Sequence, residues 1–230
     1  MEIRFNRLVI TIITCISAML TSCSDDDNSS GMPTSAVYDF VTIDSTSEKG
    51  SVFTLQKNDD SPLICYYAAV NFSKIEGLSE GDRIILCYNR SDGETYTSGN
   101  IDVYGYALLS NTKKSVVTDS AAQAEGFACQ PMKVNALWRT GRFINVDTEI
   151  SVFMASKPKT FILATDSTTL SDEVPKLHLY YINADGNDGY SPYTIYGSFD
   201  INDIWSRDEC KGIEVFYLTA NGEKSQTFLK

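Results

Sequence analysis

The side chains able to do chemistry are few. The chain of 230 residues holds one histidine, His178, and six cysteines, at positions 15, 23, 65, 87, 129 and 210. Acyl transfer through a Ser-His-Asp or Cys-His arrangement needs an imidazole in a cleft. His178 is the sole candidate and stands in an alternating run, KLHLYYIN, which reads as a strand. A lone strand histidine is read here as a packing or surface residue. No two cysteines have C-x-x-C spacing, so no zinc set is expected. Paired carboxylates could cleave glycosides, but most acids fall in turns and no spacing pairs two of them. Asn183–Asp188 opens like a calcium loop. It has Asp188 where the sixth position needs glycine, and Thr194 where the twelfth needs glutamate. No glycine loop for phosphate is present. The expectation is a protein that is not an enzyme, with no cofactor and no metal.

Cys23 is the residue with a definite chemistry. Arg4 and Arg7 give a positive start, and Leu8–Leu20 is an uncharged, mostly apolar run of 13 residues. A membrane-crossing helix needs about 20 apolar residues, so this run fits the apolar part of an export signal better. Leu20-Thr21-Ser22-Cys23 resembles a bacterial lipobox, in which the chain is cut before the cysteine and the sulfur is alkylated by a diacylglyceryl group. Each buried methylene contributes about 0.8 kcal/mol and one chain holds only marginally; two or three make a lasting anchor. Residues 1–22 are therefore read as a lipoprotein signal peptide and 23–36 as a lipidated, acidic, flexible tether. Ser24, Asp25, Asp26 and Asp27 follow the cysteine. They are either a solvated spacer or a sorting signal. Cys-Ser-Asp-Asp-Asp resembles the acidic export signal of surface lipoproteins in Gram-negative gut anaerobes, which implies the outer membrane with the protein facing the exterior.

Charge narrows the partners. The signal segment holds Arg4, Arg7 and Glu2, so the remainder carries 17 basic and 29 acidic residues, a net of −12. Such a chain repels phosphate backbones, and no nucleic-acid partner is expected. Contact with a membrane is expected through the lipid alone. Cys65, Cys87, Cys129 and Cys210 remain after the signal and the anchor are set aside, and four thiols allow three pairings. Cys65 with Cys87 is the first pair to test, since both lie on strands of one module. The other reading is free thiols packed as small apolar residues.

The elements that would position these residues are strands. Ile101, Val103, Gly105, Ala107 and Leu109 share one face of an alternating run. Val146, Thr148, Ile150, Val152 and Met154 share another, Leu177, Leu179 and Tyr181 a third, and Ile213, Val215 and Tyr217 a fourth. Turn chemistry separates the runs. Asn221-Gly222 predicts a C-terminal hairpin with a type I′ turn. Residues 110 to 130 are polar and lack clean alternation, which predicts a boundary there. About five strands precede it and six or seven follow. Five suit a small barrel, and six or seven antiparallel strands suit a sandwich. Tyr66, Tyr67, Tyr88, Tyr96, Tyr104, Tyr106, Trp138, Tyr190, Tyr193 and Tyr196 could include a sugar-stacking platform, although strand aromatics mostly form core and cross-strand pairs.

The order of segments carries a family resemblance. A lipobox with an acidic tail is followed by YDFVTI, GDRIILCYN, MKVNALWRTGRFINVDTEI and YGSFDINDI, and then by the closing hairpin. This order is similar to that of the NigD-like lipoproteins over nearly the whole mature chain. Val134-Asn135, Trp138 and Phe143-Ile144-Asn145 are its most specific part. The resemblance implies an all-β chain, with an N-terminal OB-like barrel over 37–118 and a C-terminal antiparallel β-sandwich over 119–230. It implies a bacteriocin-immunity-like role in the cell envelope and no established catalytic residues. A saccharide or a protein would be the ligand if the barrel face binds one. Trp138, Arg139 and Asn145 are read as structural. Where a histidine-containing strand is expected, the chain reads Lys159-Thr160-Phe161-Ile162-Leu163. Asp44-Ser45-Thr46, Asp119-Ser120-Ala121 and Asp166-Ser167-Thr168 resemble the O-glycosylation signal of the same bacteria, with Ser45, Ser120 and Ser167 as acceptors. Chance supplies about one such match in a chain of this composition.

Overall fold

The structure is a computed structural model that describes residues 36–90, 96–109, 111–124, 130–152, 159–183 and 191–230. Cys23, Ser24, Asp25, Asp26, Asp27, Cys129 and Tyr190 lie outside them. Strands dominate, as the alternation predicts, and the chain is all-β. It divides into two units. The first runs to Gln56 and takes in Pro62–Leu108. The second comprises Lys57–Ser61 and Leu109–Lys230.

The first unit contains β1 (Val37–Ser47), β2 (Gly50–Leu55), β3 (Ile64–Ala68), β4 (Arg83–Asn89), β5 (Gly99–Asn100) and β6 (Asp102–Leu108), in the order β5-β3-β2-β1-β4-β6. Alternate side chains decide the inner face. Val41, Ile43, Phe53, Ile64, Tyr66, Ile84, Leu86 and Tyr88 meet in one core. Phe72, on a single 3₁₀ turn capped by the Asn71 side chain, closes it. Its ring packs edge-on against Phe53 (5.0 Å) and Tyr106 (5.2 Å). Burying such a ring contributes about 1.5–3 kcal/mol.

The sheet is not a closed barrel. Its two edges, β5 and β6, are nevertheless consecutive pieces of one run, Gly99–Leu108, interrupted at Ile101. β5 lies parallel to β3 through two residue pairs, and Ile101 N–H extends the seam by donating to Tyr67 O at 2.9 Å. β6 lies antiparallel to β4. The ladder thus returns to the same run through a short parallel seam, an open-sided OB-like arrangement.

The second unit is a two-sheet sandwich. One sheet has the order β14-β13-β11-β10-β7, built from β7 (Asn111–Thr118), β10 (Lys159–Thr165), β11 (Lys176–Asn183), β13 (Gly212–Thr219) and β14 (Gly222–Leu229). The other has the order β12-β9-β8, built from β8 (Lys133–Thr140), β9 (Phe143–Val152) and β12 (Ser191–Asp200). Leu137, Ile144, Val146, Phe161, Leu163, Leu177, Leu179, Ile195, Phe199, Ile213 and Val215 form the core.

Three expectations change. The boundary lies near 108, not 118, because β7 pairs with β10. β7 ends its sheet, and an edge strand can be polar without cost, so the segment NTKKSVVT hides its strand character. Secondly, the sandwich is not purely antiparallel: β7–β10 and β11–β13 are parallel pairs. The chain leaves β11, adds β12 to the other sheet, turns through the short helix Asn202–Trp205 and returns as β13 beside β11. A crossover of that length permits a parallel neighbour. Thirdly, the C-terminal hairpin forms but not with a type I′ turn. Thr219 pairs with Gly222, so Ala220 and Asn221 are the loop, and the positive φ falls on Gly222 at 106°. That is the pattern of a type I turn followed by a glycine bulge.

Candidate functional site

The structure disperses most of the residues singled out by sequence. Cys65 and Cys87 sit on β3 and β4, with β2 and β1 between them in the sheet, and both are free thiols. Neighbouring strands are about 4.8 Å apart, and a disulfide needs Cα atoms within about 7 Å. The Cys65–Cys87 bridge is therefore not formed. Cys210 is a buried free thiol whose Sγ lies 3.2 Å from Gly212 O.

Among the described residues, the tyrosines of the first unit divide between core and surface. Tyr66, Tyr88 and Tyr106 are core residues, and Tyr67 and Tyr96 are exposed. Tyr66 and Tyr67 are adjacent in a strand and so face opposite ways. What the inward tyrosines build is polar. The Tyr88 hydroxyl donates to Asp39 Oδ2 at 2.8 Å and lies 2.8 Å from the Tyr66 hydroxyl, with the two rings 4.8 Å apart. Burial pushes the Tyr88 phenol far above its usual value, and the bond to Tyr66 and the Asp39 charge push the same way. Burial also raises Tyr66. The three side chains form one hydrogen-bonded cluster. Beside it Arg90, almost fully buried, donates to Thr97 O and to Thr97 Oγ1. Gly99 makes room for it: a β-carbon there would lie 2.7 Å from Arg90 Nη2.

The Trp138–Asn145 motif is structural. Trp138 pairs with Asn145 across β8 and β9 and is half-buried. Asn145 is fully buried, donates to Thr140 Oγ1 at 2.8 Å and accepts from Ser198 Oγ at 2.7 Å. One amide thus ties the β8–β9 turn to β12. Arg139 has partners no sequence pattern announces. Its guanidinium lies 4.4 Å from the Trp205 ring centre and donates to Asp59 at 2.8 Å and to Gly141 O. Trp205 Nε1 also reaches Asp59, at 3.2 Å. These residues are 80 and 146 positions from Asp59, a separation that leaves no local signal.

His178 stands opposite Phe216 in the β11–β13 pair and stacks on it, with centroids 5.2 Å apart and planes 21° apart. It is the packing residue its strand position implied. Phe161, Ile162 and Leu163, where a histidine was expected, are buried in β10. Ser120 and Ser167 are exposed, whereas Ser45 is half-buried in the paired strand β1. The calcium-like run 183–194 lies mostly outside the described residues. Among the described residues no cluster of three or more His, Cys, Asp or Glu could hold a metal ion.

A concavity does exist in the second unit, and sequence did not point to it. It is a groove of about 590 Å³ with Met132, Lys133, Glu149, Ile150, Tyr217 and Lys224 in its wall. The alternation assigned Ile150 and Tyr217 to inward faces, but not to a shared opening.

The molecule is therefore an all-β, two-unit protein of OB-like and sandwich architecture. Among solved structures, its fold matches a protein of unknown function, DUF1344, from Bacteroides vulgatus (TM-score 0.65, 19% identity, 85% of this chain and 90% of that one). It also matches a putative toxin-related protein from Parabacteroides distasonis (TM-score 0.65, 15% identity, 85% and 93%). A NigD-like immunity protein from Bacteroides caccae shares the fold as well (TM-score 0.60, 15% identity, 86% and 99%). The NigD-like resemblance read from the motifs is thus met by the fold over most of the chain. None of the three is described as an enzyme. No family model and no curated protein matches the sequence.

Proposed function

We propose that this protein is a non-enzymatic lipoprotein of the cell envelope with an immunity-like role, held at the outer membrane through Cys23 and facing the exterior. The observation that carries the reading is the combination of a lipobox at Leu20–Cys23 with a fold shared with a NigD-like immunity protein. The strongly acidic net charge disfavours attachment to anionic headgroups by overall charge, which supports attachment through lipid. The mature protein would use its surface to recognise a protein toxin or its receptor. O-glycans at Ser120 and Ser167, both exposed, fit such an exterior location; Ser45 is the poorer acceptor.

Mass spectrometry of the processed chain tests the anchor. A triacylated amino terminus at Cys23 is expected, and an unmodified one overturns it. Protease shaving of intact cells tests the exterior location: the native protein should be cleaved, and the variant with Asp25, Asp26 and Asp27 changed to alanine should resist. The immunity-like role predicts that deleting the gene raises sensitivity to bacteriocins of related strains and that a Cys23→Ala copy does not restore protection. Unchanged sensitivity to all of them overturns that role.

A further inference from the structure

We infer that Asn221 is a site of spontaneous modification, at which the side-chain amide is converted to a carboxylate through a cyclic imide. Asn221 is the one asparagine of the chain followed by glycine. After every other asparagine the next residue carries a side chain beside the nitrogen that must attack. Gly222 carries none, and nothing lies within 4 Å of the place its β-carbon would take. The path from the Gly222 nitrogen to the Asn221 carboxamide is therefore uncrowded, and glycine adds the backbone freedom that closing a ring requires. The carboxamide is also unrestrained. Asn221 is exposed in the loop between β13 and β14, and its side chain makes no hydrogen bond among the described residues. Other asparagine amides are held. Asn58, Asn71 and Asn89 accept through Oδ1 from Ser61, Ser73 and Arg90, and Asn135 donates to Asp147. The loop is fixed by its backbone and by Thr219. Asn221 N–H donates to Thr219 Oγ1 at 3.2 Å, and that hydroxyl donates to Gly222 O at 2.8 Å.

The reaction consumes only water. The Gly222 backbone nitrogen gives its proton to water and attacks Asn221 Cγ. The new N–Cγ bond closes a succinimide as the Cγ–Nδ2 bond breaks, and Nδ2 takes up a proton and leaves as ammonia. Water then opens the ring. Opening at Cγ gives aspartate. Opening at the Asn221 backbone carbonyl gives isoaspartate, in which the main chain runs through the β-carbon. Either product puts a carboxylate into the groove wall that also holds Lys224. Isoaspartate further lengthens the backbone inside a loop that closes on the Thr219–Gly222 pair, so it unpairs the tip of the hairpin. This inference concerns the folded second unit and does not depend on the envelope role proposed above.

Incubation of the purified, folded protein in mildly alkaline buffer made with heavy-oxygen water tests it, followed by tryptic digestion and mass spectrometry. The tryptic peptide Gly212–Lys224 contains no other amide side chain. It should convert to two acidic products that carry heavy oxygen, with isoaspartate the more abundant and methylated by an isoaspartate-specific methyltransferase. Conversion at Asn221 should be faster than at Asn58, Asn71, Asn89 or Asn135 by about tenfold or more. Asn221→Gln, which leaves the loop backbone as it is, should abolish it, and Gly222→Ala should slow it by about tenfold. The amide signals of Thr219, Gly222 and Glu223 should split as product accumulates. The inference is overturned if Asn221 converts no faster than the other four, if it converts only after unfolding in urea, or if Gly222→Ala converts at the native rate.

Discussion

The Tyr88 hydroxyl stands 2.8 Å from the Asp39 carboxylate and 2.8 Å from the Tyr66 hydroxyl, inside the core of the first unit. A phenol has one proton. With that of Tyr88 given to the carboxylate, the Tyr66 hydroxyl supplies the second bond, and the chain of donors ends on the charge. Tyr88→Phe removes the middle link and leaves Asp39 and Tyr66 short of a partner. A loss of about 1–3 kcal/mol is expected, read as a lower urea midpoint at unchanged slope. Tyr66→Phe leaves the bond to Asp39 in place and should cost less.

Alkali should unfold the protein before it unfolds a chain with ordinary tyrosines. Burial, with the Asp147 charge, pushes Tyr196 up to about 12, and Tyr88 lies higher still. In the unfolded chain both ionise near 10. Above pH 10 the unfolded chain has lost protons that the folded chain keeps, so stability falls as pH rises through 10 to 12. Absorbance at 295 nm should show part of the tyrosine titration delayed until it coincides with loss of the β circular dichroism signal. A complete titration near pH 10 in the folded protein would contradict this.

Asn145 is a fully buried amide of the three-stranded sheet, bonded to Thr140 and Ser198. Asn145→Ala removes the buried amide that donates to Thr140 and accepts from Ser198, and should cost about 2–3 kcal/mol. A double-mutant cycle with Ser198→Ala should give a coupling near 1 kcal/mol. Additive effects would mean that the 2.7 Å contact carries no energy.

Two glycines should respond to alanine for different reasons. At Gly222 nothing lies within 4 Å of an added β-carbon, and the cost is the strained φ of 106° alone, about 1–2 kcal/mol. At Gly212 a β-carbon would lie 2.5 Å from Phe228 O, a backbone atom in the same hairpin. Gly212→Ala should therefore be the worse by urea denaturation, and it should disturb the amide signals of Phe228 and Leu229. Equal costs would contradict the assignment.

Free thiols predict graded labelling. Cys65 is half-buried, whereas Cys87 and Cys210 are buried. Among these three, iodoacetamide on the native protein should modify Cys65 first and the other two only in denaturant. A Cys65–Cys87 peptide surviving non-reducing digestion would refute the strand order that separates them.

Much of the fold is local and was legible. A period of two in Leu177-Leu179-Tyr181 or Ile213-Val215 fixes an inward face whatever the partner strand, because side chains alternate by geometry. The structural role of Asn145 could be read only as an expectation; its partners, Thr140 and Ser198, come from the turn and from β12. The Asn-Gly pair marked the hairpin but misplaced its centre by one residue, since glycine can serve either the turn or the bulge after it.

The sequence by itself determined the all-strand class and the acidic net charge, and it holds the run Leu20–Cys23 on which the proposed lipid anchor rests. Each follows from composition or from spacing within about ten residues. Tertiary structure alone decided that β7 joins the second sheet, that Cys65 and Cys87 stay apart, and that Asp59, Arg139 and Trp205 meet. It alone brought Lys133 and Lys224 to one groove. The reason is that strand order depends on pairing between distant segments, and edge strands, single cysteines and scattered lysines carry no periodicity that names their neighbours.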